Sequence, residues 1–112
     1  MRRKYYGSAA HFILGDRCRF HLATEIGRYL ISTVGEYHSK DGLGPLEIGA
    51  GRLFETFVFV IDPVGERCKC GCGLPSPTDF YDVDSDGYNT AHEATEGHEA
   101  MCVKYEALVV EE

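Results

Sequence analysis

The segment DVDSDGYNTAHE, Asp82 to Glu93, places oxygen donors at the spacing D-x-D-x-D-G-x5-E, which is the spacing of a calcium-binding loop. In such a loop positions 1, 3 and 5 each give one carboxylate oxygen, position 7 a backbone carbonyl and position 12 a bidentate glutamate. Here those donors are Asp82, Asp84, Asp86, Tyr88 and Glu93, with Thr90 at position 9 and Gly87 at the turn position. Three features pull the other way. Asn89 stands where an apolar residue is usual, Pro75 and Pro77 leave no room for an entering helix, and no second copy of the motif exists. Carboxylates ahead of a helix also favour its dipole by about 0.3–1 kcal/mol each with no ion present. Both a Ca2+ cage and an acidic lead-in to a helix therefore stay open.

A second donor cluster is CKCGCG. Cys68, Cys70 and Cys72 alternate, and Gly71 and Gly73 would let the backbone wrap tightly. Zn2+ takes four ligands in a tetrahedron and prefers thiolate and imidazole. The fourth ligand would come from Cys102, His98 or Cys18, and the alternative is three thiols in a loop. A third grouping is cationic. Arg19 and His21 share one face of a predicted strand and, with Arg17 or Arg28, would form an anion site for a nucleotide-like ligand; a hydrated strand face is the simpler view. His98 falls on an apolar helical stripe and reads as a core histidine with one satisfied nitrogen. His92, in a first helical turn, reads as neutral or solvent-facing.

Catalytic patterns are sparse. The chain has no glycine-rich phosphate loop, no G-x-S-x-G and no H-E-x-x-H. Glu25, Glu36, Glu47 and Glu55 could act as acids or bases, but no pair stands out.

The elements that position these residues follow from the pattern of apolar residues and breakers. CRFHLATEIGRYLISTVGEY reads as strands Cys18–Thr24 and Arg28–Tyr37 joined around Gly27, from its β-branched and aromatic content. HSKDGLGP, His38–Pro45, reads as a loop. Phe57–Ile61 is an unbroken apolar run, predicting a central strand covered on both faces. His11–Leu14 is a candidate edge strand. Thr90 with Glu93 three residues on predicts a capping box. A helix then runs from about Thr90 to Leu108, with Ala94, His98, Met101, Tyr105 and Leu108 on its buried stripe. Glu96, Glu99 and Lys104 face water. Gly97 inside the helix costs about 1 kcal/mol against alanine, suggesting close approach of another backbone. The expected architecture is α+β in a single domain: a small antiparallel sheet of three to five strands (residues 11–62), a Cys/Pro/acidic loop (63–89), and one C-terminal helix (90–108).

The 112 residues are 44% apolar, enough for one core. No run approaches the ~20 apolar residues of a membrane span. No apolar segment follows the basic start MRRKYY, so a cytoplasmic protein is expected. Five cysteines in a reducing compartment are free thiols or metal ligands rather than disulfides. The net charge is −7. Residues 1–61 hold eight Lys and Arg against six Asp and Glu, a balance of +2; residues 62–112 hold three against twelve, a balance of −9. Such a chain is poorly suited to gripping nucleic-acid phosphates. Its acidic half suits a basic protein partner, and opposite charge on the two halves permits a homo-oligomer.

RYLISTVGEYH (Arg28–His38), RLFETFVFVID (Arg52–Asp62) and GYNTAHEATEGHEAMCVKY (Gly87–Tyr105) occur in that order. Together they resemble a family of small proteins of tailed phages and prophages. Its pattern is an ST-V strand, a FETMVF strand, then Y-x-T and a helix with EA…GHE-x-M. The actinobacteriophage-like members also carry a CRFHL strand, as here at Cys18–Leu22. Ser32, Thr33, Val34, Phe54, Glu55, Thr56, Val58, Phe59, Tyr88, Thr90, Glu93, Ala94, Gly97, His98, Glu99 and Met101 match, while Phe57 replaces the usual methionine. The resemblance brings no active site with it. It implies a phage accessory protein acting in the cytoplasm of the infected bacterial host. With the charge asymmetry, it leads to the expectation of a non-enzymatic protein that binds and modulates a host protein, such as a defence or regulatory component, through Glu93, Glu96 and Glu99. A small-ligand binder and a zinc or calcium protein are the alternatives.

Overall fold

The computed structural model describes residues 3–6, 18–39, 41–48, 51–67, 74–75 and 77–111. Its strands are β1 (Arg3–Tyr6), β2 (Cys18–Ile26), β3 (Tyr29–Tyr37), β4 (Phe54–Ile61) and β5 (Pro77–Tyr88), followed by one helix, α1 (Ala91–Glu111). The strands lie side by side in chain order, each antiparallel to the next. The helix crosses one face of the sheet and touches β2, β3, β4 and β5. The fold is α+β, a five-stranded antiparallel sheet packed on one C-terminal helix.

Alternation along the strands divides the core in two. On the helix side Ile26, Ile31 and Val58 pack against Met101, Cys102 and Tyr105, and the Tyr29 and Tyr105 rings meet edge to face, 4.6 Å between centroids. On the far side Ala23, Leu30, Val34 and Ile61 pack with Cys18 and Leu74. Glu36 takes a left-handed φ of 53°. Beyond it Tyr37 joins the face of Val34, which strict alternation from Val34 would not allow.

The β2–β3 hairpin turns at Gly27 as expected, with φ of 56°, but its strands run two residues further on β2, to Ile26. The middle strand is β3, whose residues 29–35 are all buried. The apolar strand β4 is interior but lies one place off centre, and Phe57 is half-buried. The edge strands of the described sheet are Arg3–Tyr6 and β5; the expected edge strand His11–Leu14 lies outside the described residues.

Two expectations about the second half need correction. The acidic stretch is not loop: residues 77–88 form β5 and pair with β4. The unsatisfied backbone edge of an apolar strand is a stronger claim on this segment than its aspartates are against strand. The helix runs past Leu108 to Glu111. Leu108 is 39% exposed, and the buried stripe continues through Cys102 and Tyr105 to Val109 instead.

The helix start agrees with the capping prediction in one arm. The Glu93 backbone N–H donates to Thr90 Oγ1 at 3.1 Å. The Glu93 carboxylate accepts from the Thr90 hydroxyl at 3.2 Å. Gly97 has a different cause from the one expected. A methyl group there would lie 2.2–2.3 Å from Tyr88 Cε1, Cζ and Oη, so a ring fills the space and no backbone does.

Candidate functional site

The sheet's helix-facing side carries a row of polar residues in its otherwise apolar core. Thr24 on β2, Thr33 on β3 and Thr56 on β4 are all buried, and Thr33 and Thr56 are register partners. His98 of α1, 6% exposed, drops between them. Its Nε2 lies 2.9 Å from Thr24 Oγ1 and its Nδ1 2.6 Å from Thr33 Oγ1. Thr33 Oγ1 in turn lies 2.6 Å from Thr56 Oγ1. Tyr88 Oη is buried beside Thr56 without a well-formed hydrogen bond. Burial, with a smaller opposing pull from Glu99 and a push from Arg3, lowers the His98 pKa to about 4. At neutral pH the ring is therefore uncharged, with one nitrogen donating and the other accepting. Either Thr24 donates to Nε2 while Nδ1–H donates to Thr33, or every bond runs the other way. The Cys102 thiol also meets Thr24, and burial raises its pKa.

This row opens onto a cavity of about 410 Å3 between the β1–β2 pair and the first half of α1. Thr24 and His98 line its inner end, and Tyr5, Thr95 and Glu99, all exposed, stand at its mouth.

Ion pairs fasten the elements around it. Arg3 holds Glu99 through both guanidinium nitrogens at 2.6 and 3.0 Å, and Glu106 at 2.5 Å, tying β1 to the helix. Lys104 Nζ lies 2.6 Å from Asp84 Oδ2, which also accepts from Tyr105 Oη at 3.1 Å. On the other face Glu25, almost buried, accepts from Tyr6 at 2.5 Å and Arg67 at 2.7 Å. Burial pushes the Glu25 pKa up, but the bonds from Arg67 and Tyr6 and the Arg67 charge outweigh it, and the net shift is downward. Tyr6 is pushed up to about 12 by burial and by Glu25.

These contacts decide which sequence candidates come together. A calcium loop curls its donors around one point; on β5 Asp82 and Asp86 are instead four residues apart along a strand, about 13 Å. Asp84 is committed to Lys104 and Tyr105, and Asp86 Oδ1 accepts from the backbone of Gly87 at 2.8 Å. Glu93 is bonded to Thr90, and Tyr88 packs into the core. Among the described residues no three His, Cys, Asp or Glu side chains gather where an ion could sit.

For zinc, Cys68, Cys70 and Cys72 lie outside the described residues. The other proposed ligands are divided: both His98 nitrogens face threonines, Cys102 is in the helix-side core, and Cys18 is on the opposite face. Of the cationic candidates, Arg28 does not join Arg19 and His21. Arg19 and His21 lie toward the start of β2, but Arg28 sits in the turn beyond the strand's other end, nine residues from Arg19 and about 30 Å away along an extended chain. Arg28 instead lies against the Tyr29 ring, and Arg17 lies outside the described residues. Among the described residues His21 Nδ1 is buried without a hydrogen-bond partner.

The predicted partner-binding glutamates are exposed helix residues, but they are not equivalent. Glu99 is neutralised by Arg3, and Glu96 Oε1 lies 3.0 Å from exposed His92. The threonine row was not predicted. Its signal was three threonines inside apolar strand runs, and a histidine on the helix stripe whose two nitrogens, not one, are satisfied.

Among the described residues no helix is long and apolar enough to cross a membrane. Compared with known protein families, curated proteins and solved structures, the chain matches none.

Proposed function

We propose that this chain is a small non-enzymatic accessory protein of phage type that binds a basic surface of a bacterial host protein and modulates it, acting in the host cytoplasm. The observation that carries the reading is the division of the acidic half into spent and unspent charge. Asp84, Glu99 and Glu106 are paired with Lys104 and Arg3. Asp82, Asp86 and Glu93 are exposed and have no Lys or Arg partner among the described residues. These three lie along β5 and the start of α1, so the interface is the edge strand and the helix entrance rather than the middle of the helix. β5 is one of the two edge strands of the described sheet, and exposed Val83 lies on it between Asp82 and Asp84 in sequence as an apolar contact. Carboxylates facing a basic partner speed encounter and suppress wrong pairings. The order of the ST-V, FET-V and GHE motifs is the support for a phage origin.

The test is co-purification from bacterial lysate by the wild-type chain and by Asp82→Lys/Asp86→Lys/Glu93→Lys. A partner retained at low salt, released at high salt and absent from the charge-reversed variant supports the reading. The same proteins on both baits, or none on either, refute it.

A further inference from the structure

The cavity at the β1–β2 edge has a volume of about 410 Å3, within the range of small-molecule sites. Burial grades along it. Thr24 and His98 at its inner end are 1% and 6% exposed, whereas Tyr5 at its mouth is 70% exposed. Leu22 adds an apolar wall. The cavity offers no open charge among the described residues. Its one ionised lining group, Glu99, has both carboxylate oxygens held by Arg3. A phosphate or carboxylate would therefore meet Glu99 with no cation turned toward it, and a cation would find its counter-charge already taken. Charged ligands pay desolvation there without a partner. An uncharged ring does not, and it gains the apolar wall and a tyrosine face on which to stack.

We propose that this cavity binds a small uncharged heteroaromatic molecule of nucleobase or indole size, its ring against Tyr5 and Leu22 and one polar group at the Thr24–His98 end. The hydroxyl row suits such a ligand because it can run in two senses. A ligand N–H directed at Thr24 Oγ1 is met when Thr24 donates to His98 Nε2 and the proton sits on Nδ1. A ligand acceptor is met when Nε2–H donates to Thr24 and the Thr24 hydroxyl proton turns from the Cys102 sulfur to the ligand. The polarity of the ligand is thus recorded in the tautomer of a histidine. The site is separate from the acidic surface and does not depend on it.

The test is NMR titration of the isotope-labelled full chain with adenine, indole and adenosine monophosphate. The expected result is saturable shifts at Thr24, Thr95 and His98 with at least one neutral ring. Adenosine monophosphate should bind at least tenfold more weakly than adenine. Thr95→Phe, an exposed helix-surface change that closes the mouth, should abolish binding. Tyr5→Ala, exposed and without a packing role in the core, should weaken it several-fold. Failure of both neutral rings to saturate, binding that survives both variants, or adenosine monophosphate binding as tightly as adenine would overturn the proposal.

Discussion

Acidification should destabilise this protein through one buried residue, His98, starting at a pH above the ordinary carboxylate range. His98 is uncharged in the folded state because burial holds its pKa near 4, against an ordinary 6.5. Between those values the unfolded chain binds a proton that the folded chain refuses, so stability falls as pH falls. The contribution is complete above about pH 6.5 and lost progressively down to about 4. At 1.36 kcal/mol per pH unit, that window holds about 3 kcal/mol, of which about 2 kcal/mol is gone by pH 5. Domains of this size have only about 5–15 kcal/mol in total. The carboxylates with lowered pKa, Glu25, Asp84, Glu99 and Glu106, start from ordinary values of 4.5 or 3.8 and add their own loss at the acid end of this window. Glu55, raised by burial and by Asp82, works in the opposite sense, so the His98 share is the difference between the wild type and His98→Gln. Urea melts at pH 7, 6 and 5 read the loss, and His98→Gln, which cannot titrate, should lack the His98 share. Two results would refute the reasoning: His98 ring resonances titrating near 6.5, or a His98→Gln pH slope equal to that of the wild type between pH 7 and 5.

The polar row itself should be costly to break. Thr33→Val leaves His98 Nδ1 and Thr56 Oγ1 buried without their partner and should cost about 1–3 kcal/mol by chemical denaturation, with Thr33→Ser recovering most of it. Gly97→Ala should destabilise the protein despite alanine's better helix propensity of about 1 kcal/mol, because its methyl would overlap the Tyr88 ring. Against a Tyr88→Ala background the same change should become neutral or stabilising, a sign reversal that a double-mutant cycle detects. Arg67→Met strands the Glu25 carboxylate, whose side chain is 7% exposed. Arg67 is itself 29% exposed, so the loss should fall below the 3–5 kcal/mol of a fully buried pair, at about 2 kcal/mol, and Glu25→Gln in that background should restore part of it.

Much of the framework was legible in the chain because it is written in local terms. The β2–β3 hairpin around Gly27, the strand through Phe57–Ile61, the Thr90 cap and the stripe of Ala94, His98, Met101 and Tyr105 each depend on neighbours a few residues away. The same locality misled at Asp82–Glu93. The motif's spacing is real, but spacing cannot say whether a backbone curls around an ion or extends along a neighbour. Only the open edge of β4, more than twenty residues upstream, decided for strand.

The pairings that build the site are of the second kind. Arg3 reaches Glu99 and Glu106 across some hundred residues of chain, Arg67 reaches Glu25 across forty-two, and His98 meets Thr24 and Thr33 across seventy-four and sixty-five. Nothing in the order of residues marks Thr24, Thr33 and Thr56 as a row, because strand register aligns them and the helix crossing brings His98 down onto them. Periodicity told which side of each element seeks cover, since burial of an apolar stripe needs no particular partner. Hydrogen bonds and ion pairs need one partner at one distance, and that is fixed only when the sheet has closed and the helix has docked.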